Sequence, residues 1–507
     1  MSTPSSNIRQ YPFVKALVAL VVGIVCALYI SLPIYVIILA ATILLAVAWL
    51  ASRRVAGCAM ILALMCVGML SAELSKGDAL PSSGSEIYLD IERISSERGA
   101  YSLGEARILS VCGDDGWKPC DVRVRFRCDS ALHLAESDAF RLLASIKPFS
   151  ADSENSYESS MARQGFRGEL RIGRNQVLER FADEPTWDES MRAYAKRRVE
   201  LLELSAATEG VVEAMSIGSS RHLSTSLRQD YSRSGMSHLL AISGLHLSFI
   251  FVIVHLLFRW VTLFRRGQIL LSVLVVCAVW AYALMAGFSA SVLRAAIMFS
   301  LFQLLSALSR RGYSIENLSL TACIMLLLDG STLFDVGFQL SFVAVVAIVV
   351  WGARWSSALL KSDSWERAPG VQPLYLRLLR RFGRWLWSAF AISSAAALAV
   401  LPLSSHYFGV ASLWSVLTSP VMVVLSGVVV CVVFVWIILP FDFAAPLFGA
   451  IVEWVVGVMN WTAEMCGSLG WLNAEWRMSL WECVAAYGVM ITLTLLLRHK
   501  KIRLPRF

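Results

Sequence analysis

The sequence predicts a polytopic α-helical membrane protein of about 10 to 12 transmembrane segments with a β-rich domain inserted on the extracytoplasmic side. Three observations predict it. With 57% hydrophobic and 16% charged residues over 507 positions, the chain is too apolar for an ordinary globular protein. The apolar residues fall in membrane-length runs rather than in scattered core positions. One stretch, residues 73–235, has no run long enough to span and carries short alternating segments bounded by Gly, Asp and Pro.

The N-terminal transmembrane part, residues 1–75, holds apolar segments at roughly 13–31, 33–51 and 55–72, with Arg9 and Lys15 before the first and Arg53 and Arg54 between the second and third. Val14–Ile30 has no small-residue cleavage site and is followed at once by another apolar run, so it is expected to stay as an anchor. Keeping the basic residues inside delivers the following chain to the outer side.

Residues 80–185 form the expected external domain. EIYLDIERI, YSLGEARILSVC and CDVRVRFRC read as strands. In the last, Arg123, Arg125 and Arg127 share one face and Val122, Val124 and Phe126 the other. Two readings stand: a solvated sheet face, or a basic stripe following a polyanion's backbone with Tyr88, Tyr101, Trp117 or Phe149 stacking on bases, as in small OB-type barrels. Eight of the eleven cysteines sit in apolar runs, where a thiol behaves as a small hydrophobe. Cys112, Cys120 and Cys128 fall in the external domain, where two of them are candidates for a disulfide, and their spacing matches no zinc pattern.

Residues 188–233, ESMRAYAKRRVELLELSAATEGVVEAM followed by HLSTSLRQDYSRSG, are too polar to span and are expected to lie on the membrane surface as amphipathic helices. Residues 234–498 then hold apolar segments at about 236–258, 268–287, 290–308, 314–328, 333–351, 386–408, 411–439, 445–467 and 480–497, ahead of a basic tail at 499–507. Threaded alternately, the clusters at Arg259 with Arg265 and Arg266, at Arg310 and Arg311, in the 352–384 loop and at Arg498–Lys501 all fall in the cytoplasm. Pro420, Pro440 and Pro446 mark helices expected to be broken or interfacial. The net charge of +8 therefore reports orientation first.

Ionisable residues inside spans mark pathways or binding sites. The unusual polar residues here include His238, His246 and His255 on the first of these segments, Ser289 and Arg294 on the third, Asp335 and Gln339 on the fifth, and His406 with Tyr407 ending the sixth. All but His246 and His255 lie toward the outer ends, and Arg294 with Asp335 is the expected pair. On one continuous helix, His238 and His246 would stand about 12 Å apart, too far to share an ion. Ser243-Gly244 is expected to break that helix so that freed backbone lines a wet cavity. No metal or other cofactor is called for. A hydrolase built from Ser243, His246 and Asp335 lacks a nucleophile-elbow context.

The run SGMSHLLAISGLHLSFI (Ser234–Ile250) closely resembles the signature of ComEC-type competence proteins, inner-membrane channels through which bacteria take up single-stranded transforming DNA. SVLRAAIM (Ser291–Met298), DVGFQLSF (Asp335–Phe342), LPL and the later YFG extend the resemblance, and SYESSMARQGFRGEL (Ser156–Leu170) looks like the segment that follows the family's OB-like domain. Ser248 stands where the family usually has Gly, Gly330 follows Asp329 where Pro is usual, and Ser415 is commonly Asn. The resemblance implies an external OB-like domain that binds single-stranded DNA and a helical channel domain. It carries the channel motif onto His238, Ser243, Gly244, His246, Arg294, Asp335 and Gln339. It also implies partners: a cytoplasmic helicase or translocase, since no G-x-x-x-x-G-K-[ST] loop is present, and a periplasmic DNA receptor. Many members continue into a metallo-β-lactamase-like domain. The expectation here is the short form, a channel in the bacterial inner membrane without enzymatic activity. The competing expectation is a transporter of a small anionic or lipid-linked solute.

Overall fold

The structure is a computed structural model. It describes residues 11–499 except 31, 76–77, 79, 83, 99–100, 114–115, 130–131, 133, 135–137, 151–155, 183–186, 220–221, 241, 289, 308–313, 353, 357–373, 410, 413, 469–472 and 475. Ser289, Arg310, Arg311 and most of the basic 352–384 loop lie outside the described residues. Among the described residues, seven helices are long and apolar enough to cross a membrane, and five shorter ones, Ile34–Leu50, Gly244–Leu257, Ser291–Leu304, Ile315–Leu328 and Leu480–Leu496, are also apolar. Each segment expected from the sequence meets one of them. The chain divides into two compact units: Met1–Ala195 with Ser219–Arg221 and Val254–Phe338, and Lys196–Gly218 with His222–Ile253 and Gln339–Phe507.

In the first unit, α1 (Pro12–Tyr29), α2 (Ile34–Leu50) and α3 (Arg53–Leu74) come first. A Cβ on Gly23 would fall 2.0 Å from the Met65 carbonyl oxygen, and one on Gly68 would fall 2.3 Å from that of Leu20. Small residues thus let α1 and α3 touch backbone to backbone, the packing that replaces a hydrophobic drive inside lipid. α2 packs on α3 and fully buries only Ile37, so most of its side chains are left to face lipid.

The external domain holds β1 (Glu86–Arg98), β2 (Tyr101–Gly113), β3 (Gly116–Asp129), β4 (Asp138–Leu143), β5 (Ile146–Pro148), α4 (Ser156–Arg163), β6 (Gly168–Ile172) and β7 (Val177–Ala182). The strand order is β5-β6-β3-β2-β1-β4-β7. β4 pairs with β1 and β5 with β6, yet only Ala144 and Ser145 separate β4 from β5. Crossing from one end of the order to the other in two residues closes the sheet into a barrel, with β3 and β6 as its parallel pair. The alternation read in β3 is realised: Val122, Val124, Phe126 and Cys128 point into the core with Ile87, Leu89, Ile108, Phe140, Leu142 and Leu170. Each such side chain contributes roughly 1.5–3 kcal/mol on burial.

The three domain cysteines are thiols, and no disulfide joins them. Register explains the departure from expectation. Cys112 stands opposite Trp117, three ladder positions from Cys120, and Cys128 stands opposite Ser102. At about 3.3 Å per residue those separations are roughly 10 Å and more, beyond the ~7 Å between Cα atoms that a disulfide can bridge.

α11 (Ser314–Leu328) packs on α1 and α3, with the Phe13 N–H donating to Glu316 at 3.2 Å and the Ser71 hydroxyl donating to the Leu326 carbonyl at 2.6 Å. A 3-10 turn, Gly330–Phe334, joins it to α12 (Val336–Ala347). The Gly330 N–H donates to Ser75 Oγ at 2.9 Å, and a Cβ on Gly165, after α4, would lie 3.5 Å from Ser331 Oγ. This turn is where the barrel meets the helix ends of its own unit.

The second unit is held by side chains that satisfy helix ends. The last turn of α5 (Trp187–Glu200) carries Arg198, whose guanidinium donates to the Trp436 carbonyl at 3.3 Å, to the Leu439 carbonyl at 2.7 Å and to Asp442, while lying 4.2 Å from the Trp436 ring centroid. The indole N–H of Trp436 donates back to the Arg198 carbonyl at 2.6 Å. One arginine thus takes carbonyls that the end of α14 (Trp414–Ile438) leaves unbonded.

α6 (Ala206–Ser216) starts on Ser205, and Glu453 of α15 (Ala445–Ser468) accepts from the Ser205 N–H at 3.1 Å, the Ser205 hydroxyl at 2.6 Å and the Thr208 hydroxyl at 3.0 Å. α7 (Thr225–Arg233) is tied by Tyr231 donating to Asn460 at 3.0 Å. α6 departs from the expected surface placement. Eight of its eleven residues are buried, because it packs against α14 and α15 and these polar pairs anchor it there.

α13 (Leu374–Phe408) and α14 contain Pro402 and Pro420 without ending at them. Pro420 has no N–H for the Val416 carbonyl, which lies 3.5 Å from the Ser394 hydroxyl. Near Pro402, the Tyr487 hydroxyl from α16 (Leu480–His499) donates to the Ala399 carbonyl at 2.9 Å and the Cys483 thiol contacts the Pro402 carbonyl at 3.2 Å.

Replacing Arg198 by Met is expected to lower stability by roughly 2–3 kcal/mol, since buried carbonyls lose a charged donor. Thermal unfolding in detergent measures it, and an unchanged midpoint would show the clamp to be unnecessary. Burial, helped by the Asp129 charge, pushes the Cys128 thiol up to about 11. Only about one part in a thousand is therefore thiolate near pH 8, and maleimide labelling of Cys128 should be slow and rise roughly tenfold per pH unit.

Candidate functional site

The outward face of the barrel is the first candidate. On β3, Arg123, Arg125 and Arg127 alternate with the core residues, and on β2 the same phase presents Leu103, Glu105 and Arg107 opposite them. The stripe is graded rather than uniform. Arg125 pairs with Glu105 at 2.8 Å, Arg123 reaches the same carboxylate at 3.9 Å, and both guanidiniums lie over the Phe166 ring, at 5.7 and 4.8 Å from its centroid. Phe166 is buried, and the Arg167 N–H donates to the Arg123 carbonyl at 2.9 Å, so the link between α4 and β6 covers this end.

Arg127 is exposed at the other end, 4.1 Å from the centroid of Tyr101, itself 45% exposed. Such half-exposed pairs contribute only about 0–1 kcal/mol each. Trp117 is also exposed, with Arg141 over it at 5.7 Å, whereas Tyr88 packs against Phe181 at 5.6 Å. The sequence reading missed Glu105 and Phe166. The outward phase of β2 already held the signal for Glu105, but nothing local placed Phe166.

Asp335 lies within electrostatic range of this face. Its carboxylate accepts the Phe338 N–H at 2.7 Å and so caps the start of α12, and the side-chain charges that act on it are Glu105 and Arg123. Those charges stand where Arg294 was expected, because the 330–334 turn delivers Asp335 to the barrel. Arg294 is buried on α10 (Ala290–Ala307), the helix after α9 (Gly267–Met285).

The second unit holds the other candidate. Helix α8 (Gly244–Leu257) begins at the Ser243-Gly244 break, and His238 lies before it in a separate 3-10 turn, Ser237–Leu239. The eight-residue separation is therefore not a rise along one helix. His238 is exposed and His246 is fully buried.

Ser243 and His246 make a reciprocal box: the His246 N–H donates to Ser243 Oγ and the Ser243 N–H donates to His246 Nδ1, each at 3.4 Å. This is the capping-box geometry of Ser-x-x-Glu with imidazole in place of the carboxylate. With Nδ1 accepting, Nε2 carries the proton, facing the Met215 carbonyl outside hydrogen-bond geometry. Three residues further on, Phe249 lies against Gly427 of α14, where a Cβ would fall 2.4 Å from its ring.

Gln339 on α12 accepts the Tyr407 hydroxyl at 2.8 Å, and His406, edge-on to Tyr407 at 5.1 Å, donates from Nδ1 to the Met478 carbonyl at 2.8 Å. The structure thus groups His238, Ser243, Gly244 and His246 at one break and joins Gln339 to Tyr407. Among the described residues no group of three or more His, Cys, Asp or Glu could hold a metal. His255, at the far end of α8, takes no part in the box.

A family model described as "Competence protein" matches residues 215–500. Among curated proteins, the chain is 30% identical over 142 residues to ComE operon protein 3 of Bacillus subtilis, covering 28% of this chain and 18% of that protein. It is 28% identical over 229 residues to Recombination protein 2 of Haemophilus influenzae, covering 44% of this chain and 27% of that one. The chain thus matches about a fifth to a quarter of these relatives' lengths. No solved structure matches. With more than half its length accounted for by that family model, the chain belongs to the competence protein family.

Proposed function

We propose that this protein acts in DNA uptake for transformation, as a multi-pass channel of the bacterial inner membrane that passes single-stranded DNA into the cytoplasm. The observation that carries this reading is the β2–β3 face. A closed barrel in which β1–β2–β3 form a meander and β3 pairs in parallel with β6 has OB-like strand connections, and OB barrels bind strands on that face. Here the face carries an arginine ladder ending in the exposed Arg127 and Tyr101, a cation beside an aromatic ring, the combination that backbone tracking and base stacking require.

The self-pairing of Arg123 and Arg125 with one glutamate is weak enough for phosphates to replace. Asp335, just after the Gly330–Phe334 turn, lies within electrostatic range of Glu105 and Arg123 on this face. The motif at Ser243 and His246 supplies structure rather than chemistry in this reading, since its hydroxyl and imidazole are both engaged by main-chain N–H groups. We assign it no catalytic step. The driving force comes from a separate cytoplasmic helicase or translocase, and the DNA from a periplasmic receptor.

Two measurements test the proposal. The full chain in nanodiscs should bind a fluorescent single-stranded oligonucleotide with a steep salt dependence, and the double variant Arg127→Ala with Tyr101→Ala should weaken it on the order of tenfold or more. Arg123→Ala should matter less, because that side chain is already held by Glu105 and Phe166. Salt-insensitive binding, or none, overturns the capture role. In cells, Ser243→Ala removes a cap worth about 1 kcal/mol and should reduce DNA entry into the cytoplasm while leaving periplasmic uptake intact, whereas Ser243→Thr should preserve both. Undiminished entry in Ser243→Ala combined with His246→Ala overturns the role of the box.

A further inference from the structure

The N-terminal part of α13 is unlike the rest of the helix. At 35 residues and 1.5 Å per residue, α13 is about 52 Å long, whereas the hydrocarbon core of a bilayer is about 30 Å and takes about 20 residues. The apolar sequence from Ala389 to Phe408 suffices for the span, which leaves Leu374–Ser388 as surplus. In this surplus, at about 100° per residue, Arg380, Arg381 and Arg384 fall within an arc of about 100°. Tyr375, Leu379, Phe382, Trp385 and Leu386 fall within an arc of about 120° on the opposite side.

Both faces are solvent-exposed. The three arginines are exposed, and so are Tyr375 (67%), Phe382 (58%) and Trp385 (51%). The helix is packed beyond this region, where Gly352 lies against Ile392. Between the two parts sits an aromatic group: Phe382 stacks on Trp385 at 5.9 Å, Trp387 on Phe390 at 5.9 Å, and the Trp387 indole N–H donates to the Trp355 carbonyl at 3.2 Å. Indole rings with one polar edge collect at the level of lipid headgroups.

We propose that Leu374–Ser388 is a binding surface for anionic phospholipid headgroups, with its aromatic face set into the boundary of the acyl chains and Arg380, Arg381 and Arg384 engaging phosphate. The rule that keeps basic residues inside requires arginines in a cytoplasmic loop, but it does not require them on one helix face with five apolar side chains exposed on the other. A soluble protein partner or nucleic acid would match the basic face and leave the apolar face in water. Lipid satisfies both faces at once.

The full chain, purified in a neutral detergent, is titrated with short-chain phosphatidylglycerol and, separately, with phosphatidylcholine, and bound lipid is counted by native mass spectrometry. Phosphatidylglycerol is expected to bind in preference. The triple variant Arg380→Gln, Arg381→Gln, Arg384→Gln should weaken it by on the order of 10- to 100-fold at low salt. The corresponding triple Lys variant should retain most of the affinity, and Arg265→Gln with Arg266→Gln, in another basic loop, should leave it unchanged. In vesicles, brominated lipid should quench wild-type fluorescence more than that of Trp385→Phe.

The proposal is overturned by equal affinity for both lipids, by a triple Gln variant that is monodisperse and binds phosphatidylglycerol like wild type, or by an equal loss in the Arg265/Arg266 variant. Tighter arginine-dependent binding of an oligonucleotide than of phosphatidylglycerol would reassign the face to nucleic acid and overturn it as well.

Discussion

A backbone N–H or carbonyl freed within an apolar layer has to be met by the protein itself, because no solvent is there to meet it. Much of the polar chemistry in the second unit answers this constraint. Arg198 closes the end of α14, Glu453 closes the start of α6, and Ser243 with His246 close the start of α8. Tyr487 and Ser394 serve the carbonyls near the two internal prolines. Residues that look like functional candidates when counted as polar groups in apolar runs are in several cases the price of breaking a helix inside the membrane.

The first unit works by a different balance. Its barrel core is formed by strict alternation on β3, and that alternation necessarily sends Arg123, Arg125 and Arg127 outward. Outside, they find one glutamate and two aromatic rings, which gives a face whose pairs are individually weak. The strongest self-pairing lies near Asp335 and the weakest at Arg127, so the face has a direction, with its open end away from the turn that enters α12.

Membrane character, the apolar segments and the presence of an inserted β domain were legible in the sequence because each rests on a local property: run length, hydropathy or a period of two. The break at Ser243-Gly244 was legible for the same reason. Three features were not. The absence of a disulfide among Cys112, Cys120 and Cys128 depends on strand register, which spacing does not encode. The burial of α6 depends on α14 and α15, more than 200 residues downstream, and on the capping glutamate they bring. The relation of His238 to His246 depends on whether one helix or two carry them.

By itself the sequence determined which residues are apolar in runs, which alternate, and which charges share a face, because these follow from the geometry of a single strand or helix. The tertiary structure decided what each polar group does. Asp335 became the cap of α12 rather than the partner of Arg294, and His246 became the closing half of a box. The physical reason is that a buried polar group takes whichever partner the fold brings within about 3 Å, and that partner usually comes from a distant part of the chain.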